Sequence, residues 1–287
     1  MIFQKKARPR NFSAVIVLMA LLAPVLAEGP DLEPEELVAL HLEAIGPPEA
    51  LSALQNRTAQ GSGKLQVLMG GFGTLEGPAI FVSEGPKIFL SIDFDYTNYE
   101  AEQVSFDGDK AYLGYIDSGV RSELGEFLYR YDEIIKEGLL GGVLSTAWPL
   151  LDLETRRPRL NYRGLKKVND QELLDLRYRM RRGGTDFNMH LYFEPETFRH
   201  RATTYQLTIP AGIGTSIEQS SSQRDTRFKL EEWFRDFQSF DGLDLPTHWT
   251  IQLTLATTSG TYLAKWEMIY SQITHDLSID PGLFALY

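Results

Sequence analysis

Apolar residues recur at every second position over most of this chain, and that period is the strongest constraint on its fold. Leu65, Val67 and Met69, then Ile88, Leu90, Ile92 and Phe94, then Val104 and Phe106 alternate with polar or smaller neighbours. Successive side chains of a strand point to opposite faces, so each of these segments reads as a strand with one buried face. Turn residues separate them: Gly70-Gly71, Glu84-Gly85-Pro86 and Asp107-Gly108, the last a tight-hairpin pair. The pattern returns after residue 159. Asn169-Asp170 divides 161–168 from 172–180, Gly183-Gly184 leads into 186–194, and Pro195-Glu196-Thr197 turns into 198–209. Long alternating runs follow over 227–240, through Trp249, Ile251, Leu253 and Leu255, and from Tyr262 to Tyr270. Hairpin spacing predicts an antiparallel arrangement of 11–12 strands.

Two segments break the period. Within 34–55, Leu37, Leu40, His41 and Ala44 share a helical face, Gly46 offers a stop and Pro47-Pro48 reopens a second short helix. Within 122–148, Leu124, Phe127, Leu128, Tyr131 and Ile135 follow helical spacing, Ser122 is placed as a cap and Gly138 as a terminator. The continuation from Leu139 to Trp148 is apolar on all sides and too rich in glycine for an isolated helix, so it should be buried or lie over something apolar. A dozen twisted antiparallel strands curl, and these segments are available to fill the concave side. The expected fold is mainly β (α+β): a curled, unclosed antiparallel β-barrel with helices across the concave face.

The chain opens with Lys5, Lys6, Arg8 and Arg10, an apolar run from Phe12 to Leu26, and the small-residue site Val25-Leu26-Ala27. That order reads as a signal peptide, residues 1–27, cleaved after Ala27. It leaves 28–287 as a single exported domain. Without the leader's four cations the formal charge of −11 becomes −15, a surface that repels phosphate backbones and anionic membrane faces and argues against nucleic-acid partners. Cysteine is absent. This excludes thiol catalysis, thiolate metal sites and a lipidated cysteine, and it makes the hydrophobic core the main source of stability.

Catalytic and cofactor motifs are missing from the sequence. His41, His190, His200, His248 and His275 have no metal-ligand spacing, and no nucleophile motif occurs. Gly212–Ser216 resembles a phosphate loop but lacks the lysine and the surrounding βαβ unit. Asp93 and Asp95 share a strand face, a geometry that acid/base pairs or calcium could use, with a solvated edge the plainer reading. Arg156-Arg157-Pro158-Arg159 and the Arg177, Arg179, Arg181 and Arg182 run concentrate positive charge. They suit an acidic partner or lipid headgroup, with cross-strand neutralisation by Asp or Glu the plainer reading. Asn56-Arg57-Thr58 is a formal glycosylation sequon. The remaining signal is apolar. Met69, Phe81, Phe94, Phe106, Phe187 and Phe193 from the sheet, with Leu140, Val143, Leu144 and Trp148 from the insert, either pack dry or line a slot for an acyl chain.

Phe106-Asp107-Gly108-Asp109-Lys110-Ala111-Tyr112, Leu245-Pro246-Thr247-His248-Trp249 and Ile279-Asp280-Pro281-Gly282-Leu283-Phe284 resemble the strand–turn–strand and closing elements of the LolA/LolB-like lipoprotein-sorting family. The resemblance implies a lidded, unclosed barrel in the periplasm and a cavity that accepts an acyl chain, lipid or lipoprotein. It also implies a membrane-associated donor or acceptor, no cofactor and no catalysis. The family's lid-locking arginine has no evident counterpart among these motifs. A sensor or scaffold of the same fold, docking a protein partner, is the alternative reading.

Overall fold

The computed structural model describes residues 29–71, 73–183, 185–211 and 225–286. The expected leader and the Gly212–Ser216 segment lie outside the described residues. Helices α1 (Pro34–Ile45) and α2 (Pro48–Ala53) precede strands β1 (Asn56–Met69), β2 (Gly73–Glu84), β3 (Lys87–Asp93), β4 (Ala101–Phe106) and β5 (Ala111–Leu113). An insert carries α3 (Glu123–Arg130), α4 (Glu133–Lys136), two 3₁₀ turns and α5 (Leu153–Arg156). Strands β6 (Arg159–Val168), β7 (Gln171–Arg179), β8 (Asn188–Phe193), β9 (His200–Ile209), β10 (Thr226–Phe240), β11 (Leu243–Thr257) and β12 (Gly260–His275) complete the sheet.

All twelve strands form one antiparallel sheet in the order β5-β4-β3-β2-β1-β12-β11-β10-β9-β8-β7-β6. Each half is a meander, and the first and last strands join them, Arg57 opposite His275 through Met69 opposite Leu263. The edges, β5 and β6, do not pair, so the barrel stays open. The insert is the connection between those two edges. Its course from one side of the sheet to the other follows directly from the strand order.

The turns obey their chemistry. Asn169 and Asp170 both take positive φ (45° and 63°), the conformation a two-residue hairpin requires. Asp241-Gly242 does the same between β10 and β11 (51° and 82°), so β11 begins six residues before Trp249, where alternation alone places it. Gly138 ends α4 at φ 79°, and a side chain there would strike the Ala147 carbonyl.

One core runs through the concave side. It joins Phe81, Leu90, Phe106, Leu191, Phe193, Phe234, Trp249 and Trp266 of the sheet to α1 and to Leu139, Leu140, Val143 and Leu144 of the insert. Three expectations are corrected. The buried stripe of α1 is Leu37, Val38, His41 and Ile45 rather than Leu37, Leu40, His41 and Ala44, because docking rotates the helix by about one position. The helix expected from Ser122 to Gly138 is interrupted at Tyr131 (φ −126°) and so divides into α3 and α4, while beyond Gly138 residues 142–144 form only a 3₁₀ turn, as the glycines there require. Met69 sits at the far end of β1 and is 50% exposed, because β1 overruns the sheet's covered area.

Candidate functional site

The site is the interface between the insert and the concave sheet face, and its anchors are polar. Ser122 caps α3 by accepting from the Gly125 N–H (2.8 Å) and donates its hydroxyl to Glu102 Oε1 (2.6 Å). Glu102, on β4, is buried and also accepts from Tyr99 Oη (2.5 Å) and Trp266 Nε1 (3.0 Å). Burial raises its pKa, and the three donors oppose that shift.

The second anchor lies under the coil segment 139–148. Glu232 points inward from β10 between Leu230 and Phe234 and is fully buried. Its Oε1 accepts from the Gly141 N–H (2.8 Å) and Trp249 Nε1 (3.1 Å), and its Oε2 from Tyr205 Oη (2.8 Å). Burial pushes its pKa up to about 7 despite those donors. Arg57, near the start of β1, is also buried and donates to the Val143 carbonyl (2.5 Å) and to His275 Nε2 (3.1 Å). Desolvation lowers its pKa to about 9. Ser83 Oγ accepts from the Thr146 N–H (2.9 Å). The backbone of a buried coil needs partners that a helix supplies for itself, and these side chains provide them.

A third contact ties the insert to α1. Trp148 Nε1 donates to His41 Nε2 (3.1 Å), while His41 Nδ1 donates to the Phe198 carbonyl (3.0 Å). This arrangement requires a neutral His41, and burial lowers its pKa to about 4. His200 packs 4.6 Å from the Trp148 ring, and its pKa is also driven well down by burial.

Nine of the ten sequence-identified lining residues are buried: Phe81, Phe94, Phe106, Leu140, Val143, Leu144, Trp148, Phe187 and Phe193. Met69 is not among them. Only Val143 and Trp148 border a described cavity, a gap of about 40 Å³ beside α2. The apolar opening lies elsewhere, between α3 and the ends of β10 and β11. It has a volume of about 220 Å³ and is walled by Phe127, Tyr131, Phe228, Leu253 and Leu255, with Glu123, Glu126 and Arg130 at its rim. Phe127, Tyr131, Phe187 and Phe228 form an aromatic cluster beneath it, with ring centroids 5.1–6.2 Å apart.

Sequence reasoning missed Arg57, Glu102 and Glu232. The sequon reading hid Arg57. Asn56 is itself buried, donating to the Leu277 carbonyl (2.9 Å), which leaves no room for a glycan. Asp93 and Asp95 are exposed at the sheet margin. Arg179 meets Asp186 (3.0 Å), whereas Arg181 falls beyond the end of β7. Among the described residues no group of three or more His, Asp or Glu is placed to hold a metal ion, and no helix is long and apolar enough to cross a membrane.

No protein-family model and no curated protein matches the chain. In structure it is similar to a LolA superfamily protein from Nitrosomonas europaea, at 9% identity, 89% of this chain, 98% of that one and a TM-score of 0.46. It is also similar to an outer membrane lipoprotein-sorting protein domain from Vibrio parahaemolyticus (10%, 88% and 97%, TM-score 0.42). A third is the MucA/MucB complex of Pseudomonas aeruginosa (10%, 84% and 99%, TM-score 0.22).

Proposed function

We propose that the protein is an exported, periplasmic carrier that shelters an acyl chain of a lipid or lipoprotein between the concave sheet face and a displaceable insert. The observation that carries this reading is how the concave face is filled. Its central occupant, Leu139–Leu144, is an apolar coil from the insert rather than side chains of the sheet itself, tied to the sheet by hydrogen bonds from buried side chains. Magnitudes favour exchange. A buried hydrogen bond contributes a net of about 1 kcal/mol, rising to about 3 for a charged partner. An acyl chain gains about 0.8 kcal/mol per buried methylene. A dozen or more carbons therefore match the anchors, provided the insert's apolar side chains stay packed against the incoming chain.

The groove between α3 and β10–β11 is the point of entry in this reading. It is apolar, already open, and bounded by the helix whose backbone needs no help from the sheet. The work is binding, loading and release, with a membrane-associated donor or acceptor at each end.

Native mass spectrometry of protein purified without detergent, followed by lipid extraction, tests this. The expected result is a bound species of acyl-chain mass, or its uptake on incubation with a long-chain fatty acid. Protein that stays empty after such incubation overturns the carrier reading and leaves the module that docks a protein partner.

A further inference from the structure

We infer that the convex corner formed by β6 and β7 is a docking surface for an anionic membrane. Residues 156–182 carry ten Arg and Lys against three Asp and Glu, a local charge of +7 in a chain of −11. On β7, Leu174, Leu176 and Tyr178 face the core, so Arg177 and Arg179 face outward. On β6, Leu160 and Tyr162 pack against the core and Arg159 is exposed on the other side. Arg163, Arg181 and Arg182 are exposed close by.

Carboxylates neutralise only part of this charge. Asp186 meets Arg179 (3.0 Å), Asp175 meets Lys166 (3.6 Å) and His190, Asp170 meets Lys167 (3.0 Å), and Glu137 meets Arg156 (3.7 Å). Among the described residues, Arg157, Arg159, Arg163, Arg177, Arg181 and Arg182 have no ion-pair partner. Arg159 also lies directly opposite Arg179 across the strand pair, and like charges in that register destabilise a sheet. Guarding an edge strand against aggregation explains lysines on β6. It does not explain arginines on the second strand.

The shape of the corner selects the occupant. These arginines line none of the described cavities and spread over a sheet face, which suits a flat array of phosphates rather than a compact ligand. An acidic peptide adding to the β6 edge would meet the segment before α1, where Tyr162 Oη donates to the Pro30 carbonyl (3.0 Å) and Gly29 lies against Leu165. Guanidinium groups pair phosphate in bidentate fashion, and their attraction to anionic lipid acts within a Debye length despite the acidity of the rest of the chain.

Vesicle flotation with the full chain tests the inference. Vesicles contain either phosphatidylcholine alone or phosphatidylcholine with about one-third phosphatidylglycerol, an anionic fraction chosen to give a surface potential. The expected result is binding to the phosphatidylglycerol vesicles only, abolished at about 0.5 M salt. The variant Arg159→Gln/Arg177→Gln/Arg179→Gln should bind roughly a hundredfold more weakly, at about one kcal/mol per charge. Its melting temperature should not fall, because the opposed Arg159 and Arg179 are both neutralised. Lys64→Gln, which removes a cation already paired with Glu76 (2.7 Å), should bind as the parent does. Equal partition onto both vesicle types, undiminished binding by the triple variant, or binding to poly-glutamate but not to vesicles each overturns the inference. None of these outcomes depends on acyl sheltering, which is read by retained lipid and not by vesicle docking.

Discussion

The two halves of the insert fill the same concavity by different means. Helix α3 satisfies its own backbone, shows the sheet one apolar stripe, and takes a single buried anchor, Glu102 through Ser122. The coil 139–148 is apolar all round, has no regular hydrogen bonding beyond one 3₁₀ turn, and draws on Glu232, Arg57, Ser83 and His41. The open groove lies beside the first half and only a gap of about 40 Å³ beside the second. Lifting α3 exposes the stripe of Leu124, Phe127 and Leu128 but breaks one buried anchor, whereas a coil whose amides depend on several buried side chains comes away only with all of those bonds broken. The difference makes α3 the mobile flap and the coil the firmer plug.

The sharpest way to break this comparison is Arg57→Ala. It orphans the Val143 carbonyl and leaves a hole in a fully buried region, so unfolding by urea should show a loss of about 3–5 kcal/mol. A loss below 1 kcal/mol would mean that the coil is not held as described.

The next test is pH. The folded pKa of Glu232 is about 7, above its ordinary carboxylate value. The folded state therefore binds the extra proton, and this stabilisation is complete below about pH 4.5 and lost as pH rises toward 7. For His41, lowered to about 4, the sign reverses, and stability is lost as pH falls from about 6.5 to 4. Between pH 4.5 and 6.5 the two slopes oppose each other. Glu232→Gln should remove the falling slope, so its stability relative to the parent rises by about 3 kcal/mol from pH 4.5 to 7. A pH-independent difference would show that Glu232 titrates normally.

Gly142→Ala probes the tightness of the coil. At φ 50° a Cβ would lie 2.7 Å from the Phe234 ring and 2.8 Å from His200 Nδ1, and the expected cost is about 2–3 kcal/mol by thermal melting. Ser122→Ala, at the other half, removes only a cap and one hydroxyl bond. It should cost about 1–2 kcal/mol while raising the uptake of a fluorescent fatty acid.

Much of this architecture is legible in the alternation of residues, because a period of two and a turn such as Asn169-Asp170 are local signals. The burial of Leu139–Leu144 is legible too, since no exposed segment is so apolar. The anchors are not. Glu231 and Glu232 are neighbours of identical type, and only the register of β10 decides that the first meets Lys229 (2.9 Å) while the second faces the coil. Arg57 sits inside a sequon that reads as surface, and its buried role depends on a carbonyl 86 residues away. Of the bulky side chains that alternation assigns to the concave face, Phe81, Phe94, Phe106, Phe187 and Phe193 are packed solid and Met69 is half-exposed. The opening falls where Phe127 and Tyr131 meet Phe228, at strand ends that the sequence alone does not bring together.

Hydrogen–deuterium exchange with and without a sixteen-carbon fatty acid tests the central claim most directly. If an acyl chain enters by lifting the flap, amides of 123–131 should lose protection on loading while those of β10 and β11 gain it, and 139–148 should change later or less. Uniform exchange across both halves in the presence of bound fatty acid, or no binding at all, would contradict it.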